Sequence, residues 1–525
     1  MRDIKVLDCT LRDGGYCNNW RFGSENIKKI ISGLYESGVE IIELGFLSQV
    51  RERDDDFTIF SSIDQIQLPF ITSQGDQDLV CMINYGEYEA NDIPYCSNTI
   101  LDGLRVAFHK NDMIPALDLC RDLKEKGYKV FVQAMVSLNY DDHEFLNLLN
   151  LVDEIEPYSF YIVDSFGAMK KKDLMRLFFL VDNNLNKSIS IGFHSHNNMQ
   201  LAYSNAQLFV DMSTEREIII DTCIMGMGRG AGNLNTELFV EYLNENNGKS
   251  YFLKPLLNII DEILVHFYRK NYWGYSLPNY LSAKHNLHPN YASYLDSKKT
   301  LTVEAMNDIF SLMDPMKYGT FDKEYIEAIY MKYMQNGSVQ STHYAELKEK
   351  IYGKEVLIIA PGLSSVEQKD RIISCIRTNN VISIGINHNY RFENTDYLFV
   401  SNLKRFKDLE KSLHKKCIVT SNISAENVFF KAKYSDLLND ISGVRDNAGM
   451  MLIKFLINLG ARKLYIAGMD GYSFDPEKNY SSEYLNFYSE RSVLEQMNAG
   501  IELMISRFRN EIEMEFITES NNMDL

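Results

Sequence analysis

The segment 188-SISIGFHSHNNMQLA-202 decides how this chain is read. Ser188 to Gly192 alternates apolar and small residues, the pattern of a short buried strand. His194, Ser195, His196, Asn197 and Asn198 follow directly. In extended backbone, residues two apart point to the same side. His194 and His196 therefore present two imidazoles to one point at a strand end. Two neutral imidazoles facing one point suit a divalent metal, and a carboxylate would complete a facial set with open positions. Taken alone, an H-x-H is as readily two polar residues near a surface. The rest of the chain raises the metal reading.

Working outward, the same strand pattern recurs: Ile4 to Asp8, Val39 to Phe46, Leu79 to Asn84, Gly103 to Phe108, Lys129 to Val136, Phe160 to Phe166, Ser188 to His194 and Glu217 to Met225. Helical patterns fill most gaps, among them Ser24 to Glu36, Ile114 to Lys126 and Lys171 to Leu185. Near-continuous apolar strands alternating with helices predict a parallel sheet buried on both faces. Eight such units predict an α/β fold of the (β/α)8 TIM-barrel type, with an open doubly wound sheet as the competing reading. A barrel gathers the polar residues that follow its strands on one face. Asp13 follows the first strand, Asp164 and Ser165 end the sixth, and His194 and His196 follow the seventh. Asn233 lies in the glycine-rich loop after the eighth. The first, seventh and eighth strands adjoin in a closed barrel, so Asp13 can meet His194 and His196.

The chain has 525 residues, which predicts two or three domains. Its net charge of -18 argues against nonspecific binding of nucleic acid or of an anionic membrane surface. No apolar run is long enough to span a membrane. The 8 cysteines show no C-x-x-C spacing and no signal stretch opens the chain, which points to a reducing, cytoplasmic setting. We expect the barrel over residues 1–250, a helical extension over 251–349, and a smaller Rossmann-like open-sheet domain over 350–525. The last begins with Glu355 to Gly362 and includes strands at Asn380 to Asn387, Asp396 to Asn402 and Lys463 to Asp470.

Thr10-Leu11-Arg12-Asp13-Gly14, the HSH triplet and the loop 226-GMGRGAGNLNTE-237 together resemble the DRE-TIM metallolyase superfamily. That group includes HMG-CoA lyase, isopropylmalate synthase, homocitrate synthase and 4-hydroxy-2-oxovalerate aldolase. The short loop within 221-DTCIMGMGRGAGN-233 and the segment 289-PNYASYL-295 are most similar to the 4-hydroxy-2-oxoacid aldolases. The resemblance implies that Asp13, His194 and His196 bind Mn2+ or Mg2+, with Asn233 a further ligand. It implies a 2-oxo acid and an aldehyde as substrates. It places Arg12 at the developing enolate, Tyr291 at the substrate hydroxyl and Ser165 near the substrate carboxylate. Glu43 would bind substrate or orient Arg12. One position departs from the aldolases. Their catalytic histidine, two residues after the glycine of the Arg-Asp-Gly motif, is Tyr16 here, and a phenol is a weak base at neutral pH. Gly15-Tyr16 also departs from the Glu-Gln of the condensing synthases. Cys223 reads as a buried strand thiol. His109 reads as a surface residue or a proton carrier, and Trp20 as a lining of the mouth or a packing residue.

Toward the C terminus, 356-VLIIAPGLSS-365 is a strand, a glycine turn and serines at a helix start, where backbone N–H groups can hold phosphate. The later 445-RDNAGMMLIKFLINLGARKLYIAGMDGY-472 resembles open-sheet domains of bacterial surface-glycan enzymes related to sialyltransferase-like proteins. That resemblance implies a nucleotide or nucleotide-sugar near Gly362, Ser364 and Asp470. A structural or homo-oligomer-forming role is the alternative. The reading of the whole is a metal-dependent aldolase, a carbon–carbon lyase, acting on a 2-oxo acid such as pyruvate, in carbohydrate or surface-glycan synthesis. An acyl-CoA-dependent condensing acyltransferase and a non-catalytic binding protein on the same barrel are the alternatives.

Overall fold

The computed structural model describes residues 3–50, 56–66, 77–335, 343–390, 395–482, 485 and 491–520. Eight parallel strands form a closed barrel: β1 (Ile4–Asp8), β2 (Ile41–Leu47), β3 (Asp78–Asn84), β4 (Gly103–Phe108), β5 (Lys129–Ala134), β6 (Ser159–Asp164), β7 (Ser190–Ser195) and β8 (Ile218–Thr222). Each pairs with its neighbours in sequence. β1 pairs with β8 (Ile4 opposite Ile218) and with β2 (Leu7 opposite Ile41), which closes the sheet. A closed barrel, not an open sheet, is therefore the fold. A two-residue strand, Ile59–Phe60, adds beside β2.

The outer helices form for a simple reason. Lys171–Asn184 buries Leu174, Leu177, Phe178 and Val181, one face at helical spacing. Each such side chain contributes about 1.5–3 kcal/mol on leaving water. Phe178→Asp would put a charge in that face and detach the helix.

Two compact units are present: Met1–Ser293 with Asp314–Phe321, and Tyr294–Met313 with Asp322–Leu525. The helical stretch expected over 251–349 is divided between them. Leu256, Ile259, Ile263, Leu264 and Trp273 belong to the barrel's own buried cluster. Met306, Ile309 and Phe310 are buried as well, on the helix Val303–Ser311.

The second unit holds seven parallel strands: β9 (Glu355–Ile359), β10 (Ile382–Ile386), β11 (Tyr397–Val400), β12 (Cys417–Thr420), β13 (Phe430–Ala432), β14 (Lys463–Ala467) and β15 (Glu513–Phe516). Their order is β13-β12-β11-β10-β9-β14-β15, an open Rossmann-like sheet whose winding reverses between β9 and β14. The short strands β12, β13 and β15, of four residues or fewer, are not among those expected from the sequence.

Candidate metal centre and active site

Strand parity builds the barrel interior from the bottom up. Leu7, Ile41, Val80, Phe131, Tyr161 and Ile219 form an apolar floor. Alternate residues face the same way, so two positions further along the strands come Glu43, Gln133, Val163 and Asp221. Arg105 joins this second layer. His194 is reached the same way, because Ile191 and Phe193 of β7 belong to the outer core. Ser195 is the last residue of the strand, and His196, just past it, pairs across an isolated bridge with Asn233.

The three sequence-predicted ligands converge. His194 Nε2 lies 3.6 Å and His196 Nε2 3.9 Å from Asp13 Oδ2. One ligand atom from each of Asp13, His194 and His196 lies within 4.8 Å of the others, and all three residues are buried. Asn233 joins them. Its Nδ2 donates to Asp13 Oδ1 at 3.1 Å, while its Oδ1 is buried with no hydrogen-bond partner. A buried oxygen without a partner beside a carboxylate and two imidazoles is a donor set that fits a divalent metal ion. The glycine loop permits this crowding: a Cβ on Gly228 would lie 2.1 Å from Asn233 Nδ2 and 3.0 Å from Asp13 Oδ1.

A charge network holds the ligands in place. Arg12 Nε donates to Glu43 Oε2 at 2.8 Å and its Nη1 to Asp13 Oδ2 at 2.5 Å. Arg105 Nη1 lies 2.8 Å from the same Glu43 oxygen, and Arg105 Nη2 is paired with Asp221. Asp221 Oδ2 in turn lies 2.9 Å from His194 Nδ1, which leaves Nε2 for the centre. Burial opposes charge on Asp13, yet Arg12, His196 and His194 hold its carboxyl well below the usual range. Burial also opposes charge on His194, but Asp221 and Cys9 outweigh it and push the imidazole up to about 9. His196 goes the other way: burial, with His194, Arg229 and Arg12 nearby, takes it down to about 3 despite Asp13.

The centre opens into a cavity of about 300 Å³ lined by Arg12, Tyr16, Gln133, Ser165, Arg229 and His288 among others. Ser165 Oγ accepts from Val136 N at 2.8 Å, so its own hydrogen is free to donate inward. Tyr16 packs edge-on against Trp20, and the Arg229 guanidinium sits 5.2 Å above its ring. Trp20 itself donates from Nε1 to Arg12 O at 2.7 Å, pinning the first loop. Two residues expected at the substrate lie outside the cavity lining, and of its two expected roles Glu43 has the contact to Arg12. Glu43 does not line the cavity; it is fully buried and bonded to the arginines behind it. Tyr291 is fully buried, donates to Lys317 O (3.0 Å) and Thr320 O (2.8 Å), and is not a lining residue.

Four residues went unread in the sequence. Asp221, Arg105 and Gln133 are polar side chains inside otherwise apolar strands, a signal that was available. Gln133 Nε2 is buried without a partner. His288 carried no signal, because a helical extension brings it to the cavity; burial, Arg229 and His109 lower it to about 3.

Residues 3–259 match the family model described as HMGL-like. The 4-hydroxy-2-oxovalerate aldolase of Geobacillus genomosp. 3 is 25% identical over 243 residues, covering 46% of this chain and 70% of that protein. The oxaloacetate decarboxylase of Mycobacterium tuberculosis is 24% identical over 249 residues, covering 46% of this chain and 70% of that protein. Among solved structures, a carboxyl transferase domain of Rhizobium etli pyruvate carboxylase with pyruvate is 13% identical. That match covers 66% of this chain and 65% of that chain with a TM-score of 0.50, a likeness of fold. The barrel is an HMGL-like domain of the DRE-TIM metallolyase superfamily. The sequence relatives named here are carbon–carbon lyases.

In the second unit, Gly362, Ser364 and Asp470 do come together, but on one another. Ser364 N donates to Asp470 Oδ2 at 2.8 Å, and Ser364 Oγ is bonded to Asp470 Oδ1. The carboxylate occupies the place a phosphate would take, and the helix behind it, Ser364–Glu367, has only four residues. The phosphate cradle expected at Ser364 is therefore filled from within the chain.

Proposed function

We propose that the barrel is a divalent-metal-dependent aldolase that makes or breaks the carbon–carbon bond next to a 2-oxo acid such as pyruvate, with an aldehyde as the second partner. The observation that carries this is the convergence of Asp13, His194 and His196 beside Arg12 at the floor of one cavity. A bound Mn2+ or Mg2+ supplies Lewis acidity toward the carboxylate and keto oxygens of the acid. The chain's own groups do the rest. Arg12 spends Nε and Nη1 on Glu43 and Asp13, leaving Nη2 without a partner among the described residues. It is a fixed cation that stabilises negative charge as the enolate develops. Ser165 and Gln133 donate toward the substrate carboxylate. His288 stands in for the histidine that Tyr16 replaces. Its Nε2 lies 3.5 Å from Arg229 Nη1, which can only donate, so this nitrogen faces the cavity as an acceptor. There it can take the proton of the substrate hydroxyl as the carbon–carbon bond breaks, in the cavity that Tyr16 also lines.

Exchange of the pyruvate methyl protons, followed by NMR with added Mn2+ and after chelation, tests the reading. Metal-dependent exchange is expected, and exchange indifferent to chelation would reject it. Acyl-CoA-dependent release of CoA would select the condensing reaction instead. His288→Gln is expected to keep methyl exchange while aldol cleavage falls about 10²-fold, the usual worth of a positioned acid–base group.

A further inference from the structure

We infer that the second unit carries a nucleotide-binding site of its own, in the cavity outside the carboxyl ends of β9, β10, β11 and β14. The cavity measures about 540 Å³, and every residue lining it belongs to that unit. Open parallel sheets bind ligands outside the carboxyl ends of their strands, at the point where the winding reverses. Here that point lies between β9 and β14, and the cavity sits on it. Its size is that of a small-molecule site.

The donors on one wall say what enters. Ser401, 5% exposed, lines the cavity, and its hydroxyl has no hydrogen-bond partner among the described residues. Beside it, Asn387 Oδ1 accepts from Ser401 N at 3.3 Å, so the Nδ2 of Asn387 remains a free donor. Asn402 Oδ1 likewise accepts from Arg405 N at 3.1 Å, leaving its Nδ2 free. Lys404, also on the lining, forms no ion pair among the described residues. A hydroxyl, two amide donors and an ammonium turned to one cavity suit an acceptor-rich anion. The three acids of the lining have partners: Asp296 is paired with Lys299 (2.7 Å), Asp470 accepts from Ser364, and Asp446 accepts from the hydroxyls of Tyr330 (2.8 Å) and Tyr434 (3.2 Å).

Part of the remaining lining is apolar and soft. Met306, Met450, Met469, Met497 and Ile501 line it. Thioether side chains adapt to flat rings and make favourable sulfur–aromatic contacts. A phosphate against Ser401 and Lys404 and a base against the methionines describe a nucleoside phosphate. Gly362 and Asp470 line this cavity while Ser364 does not, so the anion is assigned to the donors at the ends of β10 and β11 rather than to Ser364.

Calorimetric titration of the full-length protein tests this, with AMP, GMP, CMP, UMP and inorganic phosphate as separate titrants. At least one nucleoside monophosphate should bind saturably, and phosphate alone at least about tenfold more weakly. Lys404→Ala and Ser401→Ala should each weaken binding about tenfold, the worth of one charge-assisted hydrogen bond. Lys404 is exposed, so its variant remains informative even if Ser401→Ala does not fold. Metal-dependent chemistry in the barrel should be unchanged in both. The inference is overturned if no monophosphate saturates at millimolar concentration, if both variants bind like the parent, or if phosphate binds as tightly as the nucleotides. None of these results depends on what the barrel catalyses.

Discussion

Asp221 controls the candidate centre without touching a substrate. It takes His194 Nδ1 on one side and the Arg105 guanidinium on the other, so the imidazole can turn only its Nε2 toward Asp13. Asp221→Asn keeps the shape but loses the charge that orients the ring. Metal affinity, measured by chelator competition, is expected to fall about 10–100-fold, the cost of losing a carboxylate behind a metal-bound histidine. Arg12 separates from it in the opposite way. Arg12→Lys keeps one positive charge but loses the planar fork that spans Glu43 and Asp13. Metal content should survive in that variant while kcat drops about 10²-fold, since one preorganised donor at developing charge is worth roughly that much. Equal loss of metal in both variants would place Arg12 among the positioning residues.

The loop after β8 and the end of β1 set the limits of what elements tolerate here. Gly228 brings backbone against Asn233 and Asp13, where a methyl group would collide. Gly228→Ala should lower stability by about 1–3 kcal/mol, an overpacking cost, and lose metal content together with it. Asp8, the last residue of β1, accepts from Thr236 Oγ1 (2.6 Å) and Thr10 N (2.9 Å) in full burial. Burial outweighs those bonds and pushes its carboxyl up to about 6. The unfolded chain binds that proton only below about pH 4. The penalty for ionising Asp8 in the fold is therefore absent at about pH 4 and complete well above 6. Asp8→Asn cannot ionise, so denaturant unfolding should show it gaining on the parent, by on the order of 2–3 kcal/mol, between about pH 4 and about pH 8. An unchanged difference between the two pH values would mean that Asp8 is already neutral or already solvated. The elements themselves were largely readable. All eight barrel strands announce themselves as apolar runs, and Asp13, His194 and His196 follow strand ends, so closure alone brings them together. What escaped was carried by parity and by distant segments. Asp221 and Arg105 face inward only once alternation is fixed against the floor, and His288 arrives from a helical extension with no strand to announce it.

The barrel does not end where its last strand ends, and this sets the smallest piece of the chain that can fold. Leu256, Ile259, Ile263 and Leu264 lie in the same buried cluster as the barrel helices, and Trp273 donates from Nε1 to Met225 O at 3.0 Å in the loop after β8. His288 lines the candidate site, and Tyr291 is tied to Lys317 and Thr320. A fragment cut at residue 250 loses five large buried apolar side chains and uncovers the barrel surface they pack on. At about 1.5–3 kcal/mol each, that loss is comparable to the whole net stability of an ordinary domain. A fragment cut after Phe321 keeps the barrel's compact unit whole, together with Tyr294–Met313, which clusters with the second unit. Expressed side by side, the longer fragment should be monodisperse, unfold cooperatively and retain metal. The shorter one should aggregate or melt without a transition. A cooperative, metal-binding fragment ending at 250 would show that the helical extension only covers a barrel already complete, and would remove His288 from the chemistry with it.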